Sequence, residues 1–263
     1  METNKIYCTD NILGMSKMSD SSVDLTVTSP PYDKLRQYNG FSFNFEGVVK
    51  QLMRITKVGG VVVWVVGDST VKGSESGESF RQALFFIEAG FNLHDTMIYH
   101  KNNPMPQEIG KRYQPSFEYM FVFSKGAPKT FNPIKIPAAK YGKTKPRKYT
   151  SGQRKPSGKS VPFWTDHNKN PLKFSHNIWS YNVQAGSSSK DKIAYKHPAI
   201  FPEQLAHDHI VSWSNAGDLV LDPFMGSGTT AKIAKLLGRN YIGFEVSEEY
   251  CAIAKERIEN CTV

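Results

Sequence analysis

The stretch Leu219-Val220-Leu221-Asp222-Pro223-Phe224-Met225-Gly226-Ser227-Gly228-Thr229-Thr230 says most about how this chain folds. Asp218 to Leu221 is a short apolar run of strand type, closed by Asp222. Gly226, Ser227 and Gly228 follow, small residues that permit a tight turn and let a ligand approach the backbone. Thr229 to Leu237 has a helical pattern, ended by Gly238. The next strand, Tyr241-Ile242-Gly243-Phe244-Glu245, ends on an acid 23 residues beyond Asp222. That spacing suits a carboxylate that accepts hydrogen bonds from ribose hydroxyls, as in dinucleotide folds. A G-x-x-x-x-G-K-[ST] sequence is absent, so an ATP-binding P-loop is not supported.

The same alternation recurs on the N-terminal side. Val23 to Thr28 reads as a strand stopped by Ser29-Pro30-Pro31-Tyr32, because proline cannot donate to a ladder. Phe45 to Thr56 has helical spacing and is broken by Gly59-Gly60. The unbroken run Val61-Val62-Val63-Trp64-Val65-Val66 suits a strand buried on both faces. Ser79 to Ala89 reads as a helix with Phe80, Leu84, Phe85 and Ile87 on or near one side. Thr96 to Tyr99 and Tyr119 to Phe123 are two further strands; Glu203 to Trp213 and Glu248 to Glu259 are helices. Alternating β and α segments imply a doubly wound, mostly parallel sheet.

Composition narrows the function classes. The 263 residues are 39% hydrophobic and 22% charged, enough for one sizeable core and an inserted lobe. No apolar run is long enough to span a bilayer, and Met1 to Lys5 lacks the apolar stretch of a secretory signal. Cys8, Cys251 and Cys261 form no C-x-x-C pair, so the expectation is a cytoplasmic protein with free thiols and no metal. His207 and His209 stand two apart in a helical pattern, face different sides and read as structural.

The net charge of +9 is unevenly spread. Between Lys125 and Lys196 stand sixteen Lys/Arg against Asp166 and Asp191, a surplus of +14 that leaves −5 for the rest. The same segment carries Phe131, Tyr141, Tyr149, Phe163, Trp164, Phe174, Trp179 and Tyr181. Basic residues supply phosphate contacts and counterion release, and aromatics supply stacking, so this region points to a nucleic acid.

Taken in this order, Ser29-Pro30-Pro31-Tyr32 and then Asp222-Pro223-Phe224-Met225-Gly226-Ser227-Gly228-Thr229-Thr230 resemble the DNA amino-methyltransferases, in the permuted β-class where the catalytic motif precedes the cofactor motif. The resemblance covers nearly the whole chain. It implies a Rossmann-like α/β fold, with a catalytic domain in residues 1–130 and 196–263 and a basic target-recognition region in 131–195. It implies S-adenosyl-L-methionine as cofactor, with Asp222, Phe224, Gly226, Ser227, Gly228 and Thr229 around its methionine end and Glu245 on its ribose. Ile6 to Leu13 resembles the strand beside the adenine ring, where Asp10 would accept from the adenine amino group; a helix cap before Ile12 is the other reading of Asp10. Lys196-His197-Pro198-Ala199-Ile200-Phe201-Pro202 resembles the segment flanking the methionine moiety, so His197 is either a cofactor-side or a structural residue.

Chemistry explains the catalytic motif. The lone pair of an exocyclic amino group is delocalised into its ring. Acceptors at both amino hydrogens draw it back onto nitrogen and stabilise the charge that develops. By the resemblance these acceptors are Ser29 Oγ and the Pro30 carbonyl, with Pro31 fixing the backbone and Tyr32 stacking on a flipped-out base. Asp33 to Gly40 resembles a mobile loop, in which Lys34 and Arg36 are candidate DNA contacts. Lys143, Lys145, Arg147, Lys148, Arg154, Lys155 and Lys159 are the other candidates.

The expected activity is methylation of cytosine N4 in double-stranded DNA. Ser29 tips the assignment, since family members with Ser-Pro-Pro-Tyr mostly modify cytosine and those with Asp-Pro-Pro-Tyr mostly adenine. Either side chain can accept from either amino group, so adenine N6 is the alternative. Further readings are an RNA or protein methyltransferase and a non-enzymatic DNA-binding module. A paired restriction endonuclease is a candidate partner, no membrane is expected, and monomer and homodimer both stay open.

Overall fold

The computed structural model describes residues 1–31, 44–106, 110–138, 147–154, 156–165, 170–183, 186, 188–197 and 199–261, with only the backbone in 147–154 and 160–165. They form two compact units, one of Met1–Asn132 with Asn177–Val263 and one of Pro133–His176. In chain order the elements begin β1 (Lys5–Cys8), α1 (Asn11–Ser16), β2 (Val23–Thr28), α2 (Phe45–Ile55), β3 (Thr56–Val66), β4 (Thr70–Val71) and β5 (Ser74–Glu75). Next come α3 (Glu78–Glu88), β6 (Asn92–Lys101), β7 (Phe117–Ser124), β8 (Lys135–Pro137), β9 (Arg147–Arg154), β10 (Ser160–Thr165), β11 (Leu172–Phe174) and β12 (Ile178–Tyr181). After a 3-10 turn at Lys192–Lys196 the chain closes with α4 (Glu203–Trp213), β13 (Leu219–Asp222), α5 (Thr229–Leu236), β14 (Asn240–Glu245) and α6 (Glu248–Glu259).

In the larger unit eight strands make one sheet in the order β1-β14-β13-β2-β3-β7-β6-β12. Every neighbouring pair is parallel except the two that β7 makes with β3 and β6. This is the doubly wound α/β arrangement that the alternating pattern implied. Helices cover both faces. Val61, Val63 and Val65 of β3 join a core with Leu205 of α4, Ala231 of α5 and Ala254 of α6. Val62, Trp64 and Val66 of the same strand join the opposite core, with Met15 of α1, Val48 of α2 and Phe86 of α3. An apolar residue is needed at every one of these β3 positions because both sides of the strand are dry.

Helix α3 does not bury the side that carries most of its apolar residues. Ala83 and Phe86 enter the core together with Ser79 and Gln82, while Phe80, Leu84 and Ile87 are 53%, 60% and 44% exposed. Specific hydrogen bonds draw the two polar residues in. Trp64 Nε1 donates to Gln82 Oε1 at 2.8 Å, and the Ser79 N–H donates to Asp68 Oδ1 at 3.1 Å. Phe86 also stacks on Phe123, with ring centroids 4.2 Å apart.

Within the stretch expected as one basic region, Ile178–Tyr181 is β12, parallel to β6 in the main sheet. The larger unit therefore resumes at Asn177, ahead of residue 196. Asparagines fix both points where the chain leaves and re-enters it. The Asn132 side-chain amide donates to Val211 O, Ser214 O and Asn215 Oδ1 at 3.1, 3.2 and 3.2 Å. The Asn177 carbonyl accepts from the Ile98 N–H at 2.8 Å, and its amide reaches Thr96 O at 3.3 Å. In the smaller unit β9 pairs antiparallel with β10, and β8 with β11. Its sequence holds eleven Lys/Arg against the single acid Asp166.

Candidate active site

The C-terminal ends of four adjacent strands, β1, β14, β13 and β2, carry the predicted residues side by side. Asp10 follows β1, Glu245 ends β14, Asp222 ends β13, and Ser29-Pro30-Pro31 follows β2. The carboxyl edge of a parallel sheet is where open α/β folds hold ligands. At the first step, the Thr9 N–H donates to the Glu245 carbonyl at 2.9 Å and so brings Asp10 beside Glu245. Asp10 also caps α1, its Oδ1 accepting from the Leu13 N–H at 2.9 Å. The Glu245 carboxylate is fixed at both oxygens, Oε2 by the Gly226 N–H at 2.8 Å and Oε1 by the Ser247 N–H at 2.9 Å.

Asp222 and β2 are joined directly. Thr28 Oγ1 donates to Asp222 Oδ1 at 2.6 Å, a buried hydrogen bond between residues 194 apart in sequence. The Phe224 N–H donates to the same oxygen at 3.0 Å. Burial pushes the Asp222 carboxyl up to about 6 from its usual 3.8, with nearby Glu245 adding to the rise; hydrogen bonds from Thr28, Thr230 and the Phe224 N–H hold it from going higher. One residue beyond Thr28, Ser29 is half-buried and Pro30 buried. Tyr32, Lys34 and Arg36 lie outside the described residues.

The turn after Asp222 depends on two glycines in the left-handed region. Gly226 has φ +50°, and a Cβ there would come within 3.0 Å of His197 Nε2. Gly228 has φ +83° and opens α5; a Cβ there would meet Ala254 of α6 at 2.8 Å. Thus Gly226 lets the His197 ring pack close against the turn, whereas Gly228 serves the packing of α5 on α6. His197 is buried against this turn, its Nδ1 2.8 Å from Ala199 O and its ring 4.4 Å from that of Tyr250. Phe224 packs edge-on to Trp64, 6.1 Å between centroids.

The Ser227 and Thr229 hydroxyls meet a residue that sequence reasoning missed. Arg257 of α6, its side chain wholly buried, donates to Ser227 O, Ser227 Oγ and Thr229 Oγ1 at 2.6, 3.0 and 3.2 Å. Thr28 and Thr230 were missed as well. Arg257 left one signal: it stands three residues after Ala254 and next to Ile258, on the apolar side of α6, where a charge calls for a partner. Thr28 left none, because its partner lies on a distant segment.

In the smaller unit the β9–β10 register places Lys148 opposite Trp164, Tyr149 opposite Phe163 and Arg147 opposite Thr165, with Arg154 opposite Ser160 at the other end. Lys159 is exposed beside the connecting turn. Lys143, Lys145 and Lys155 lie outside the described residues. Among those described, no His/Cys/Asp/Glu group is arranged to hold a metal ion, and no helix is long and apolar enough to cross a membrane.

Comparison with known proteins gives the family. Residues 23–256 match the N6/N4 methyltransferase family model, described as DNA methylase. The orphan methyltransferase M.BamHII of Bacillus amyloliquefaciens is 57% identical over 247 residues, 92% of this chain and 91% of the relative. The type II methyltransferase M.MthZI of Methanothermobacter thermautotrophicus is 28% identical, over 97% of this chain and 76% of its own length. Among solved structures, the M1.HpyAVI–SAM complex aligns with a TM-score of 0.64 at 26% identity, over 98% of this chain and 99% of that one. The cytosine-N4-specific PvuII DNA methyltransferase shares the fold with a TM-score of 0.71 at 22% identity, over all of this chain and 89% of that one. The strand-end constellation, the motif order and these matches together show that the chain belongs to the N6/N4 family of DNA amino-methyltransferases.

Proposed function

We propose that this enzyme methylates the N4 amino group of cytosine in DNA, with the base flipped out of the duplex. The observation that carries the reading is the buried Thr28–Asp222 hydrogen bond, which sets Ser29-Pro30 beside the glycine turn. S-adenosyl-L-methionine is the cofactor, and the residues present fit it. Three acids in a row, Asp10, Glu245 and Asp222, match a ligand that offers amino and hydroxyl donors and carries a positive sulfonium. The missing Cβ at Gly226 lets the His197 ring close on the turn. Asp10 and Glu245 would hold the adenosine part, and Asp222 with the turn the methionine part. When bound, the cofactor supplies an electrophilic methyl group.

The chain's own work is on the amino group. Ser29 Oγ and the Pro30 carbonyl accept its two hydrogens, favour a pyramidal nitrogen and take up charge as it develops. Prolines 30 and 31 hold that carbonyl in place before substrate arrives. With the cofactor bound, the nitrogen would be held close to the methyl group, which gives the advantage of an intramolecular step, and one amino proton would leave to solvent as the methyl is gained. Ser29, in place of the aspartate typical of the adenine enzymes, supports cytosine as target. The name of the Bacillus relative, an orphan methyltransferase, supports a solitary enzyme over one paired with a nuclease. The test is nucleoside analysis by mass spectrometry of DNA treated with purified protein and labelled cofactor. N4-methylcytosine is expected. N6-methyladenine would overturn the choice of base, and label in RNA or protein but not in DNA would overturn the substrate class.

A further inference from the structure

Beside the glycine turn lies a group of four charges, its two cations buried and its two carboxylates partly exposed. Arg257 Nε donates to Asp191 Oδ2 at 3.1 Å, and its Nη2 to Glu203 Oε1 at 2.7 Å and Ser189 Oγ at 3.3 Å. Lys232 Nζ reaches the same two carboxylate oxygens, at 2.7 and 2.8 Å. Burial opposes ionisation of Asp191, but hydrogen bonds from Lys232 and Arg257 outweigh it and hold the carboxyl below its usual range. Lys232 thus touches both carboxylates by itself. What Arg257 adds is reach: one planar fork spans from those carboxylates to three acceptors on the turn, at Ser227 and Thr229. Buried ion groups seldom stabilise a fold more than apolar residues of the same volume would. The geometry therefore calls for a role other than folding alone.

We propose that Arg257 is a positioning residue for the cofactor, holding the Ser227-Gly228-Thr229 turn in its receiving conformation by tying it to the Ser189–Asp191 segment and to α4. The proposal rests on the reading of this turn as the cofactor cradle. By it, the Ser227 and Thr229 hydroxyls act mainly on Arg257. Lysine at this position would keep the charge but could not span the two ends of the fork.

The experiment uses the full chain, with cofactor affinity by calorimetry, steady-state kinetics and thermal unfolding measured on each variant. Arg257→Lys should stay folded, with its Kd and KM for S-adenosylmethionine raised about tenfold or more, the scale of one or two hydrogen bonds from a charged donor. Its kcat at saturating cofactor should stay within about threefold of wild type, because the amino-group acceptors are untouched. Glu203→Gln loosens only one anchor of the fork; it should raise Kd less and again spare kcat, and it decides the matter if Arg257→Lys does not fold. Unchanged cofactor Kd in the folded variants would overturn the proposal. So would a loss of kcat with Kd unaltered. Gly226→Val separates the two ideas, since its branched side chain meets His197 and disfavours the positive φ. If Gly226→Val binds cofactor normally, the cradle is misread; if it does not bind while Arg257→Lys binds normally, only the positioning role fails.

Discussion

At the scale of single residues, Ser29 and Asp222 make separable predictions. On the proposed mechanism, Ser29→Ala removes one of the two acceptors for the amino hydrogens but leaves the glycine turn intact. Turnover should drop by about 10²–10³, by analogy with the loss of one oxyanion donor, while cofactor affinity stays near wild type. A single-turnover rate equal to wild type would sink the role of Ser29. Asp222 has a raised carboxyl, so the folded state holds a proton that the unfolded chain has released between about pH 4 and 6. Its contribution is therefore most favourable below pH 4, falls as pH rises through that window, and stays low above pH 6. The loss is on the order of 3 kcal/mol at most, from a shift of about two pKa steps. Asp222→Asn keeps an acceptor for Thr28 and has nothing to ionise. Denaturant midpoints measured across pH 4–6 should fall more steeply for wild type than for this variant; parallel curves would show that Asp222 titrates normally.

At the scale of elements, β9 and β10 form an antiparallel two-stranded ribbon in which Lys148 stands opposite Trp164 and Tyr149 opposite Phe163. Such a ribbon fits a nucleic-acid groove. Neutralising Lys143, Lys145, Arg147, Lys148, Arg154, Lys155 and Lys159 together should weaken DNA binding and leave cofactor affinity alone. The slope of log affinity against log salt should flatten by roughly 0.9 for each phosphate that these side chains no longer neutralise. A salt titration that gives the wild-type slope would move the DNA surface elsewhere, first to Lys34 and Arg36. Helix α3 shows where element-level reading stops. Its apolar period is genuine, yet Phe80, Leu84 and Ile87 are the exposed side, since Trp64 and Asp68 claim Gln82 and Ser79 for the interior.

At the scale of the whole molecule, most of the sheet was legible because a parallel strand must be apolar on both sides. Val61 to Val66 and Val220 to Leu221 declare themselves for that reason. That Asp10, Ser29, Asp222 and Glu245 each close or follow a strand was legible as well, but their order along the sheet edge was not, since no local pattern sets the order of strands in a sheet. Strand β12 was hidden: four residues, Ile178 to Tyr181, with serine and two ring hydrogen-bonding groups among them, sit in a segment whose composition speaks of charge. The links that bind the site together, Thr28 to Asp222 and Arg257 to Ser227, were illegible for a simpler reason. Each is a short-range contact between residues far apart in the chain; the apolar side of α6 marks Arg257 as needing a partner, but no local pattern names the partner in either case.

Asn132 and Asn177 lend themselves to an evolutionary reading. Each is tied to backbone carbonyls of the unit it borders, so the span between them is moored at both ends by parts that it does not itself supply. Mutation can lengthen, shorten or rewrite that span while the moorings keep β7 and β12 in register with the sheet. If that span is the target-recognition region, as the resemblance implies, a lineage with this architecture is free to inherit its chemistry unchanged and to acquire a new vocabulary of target sites.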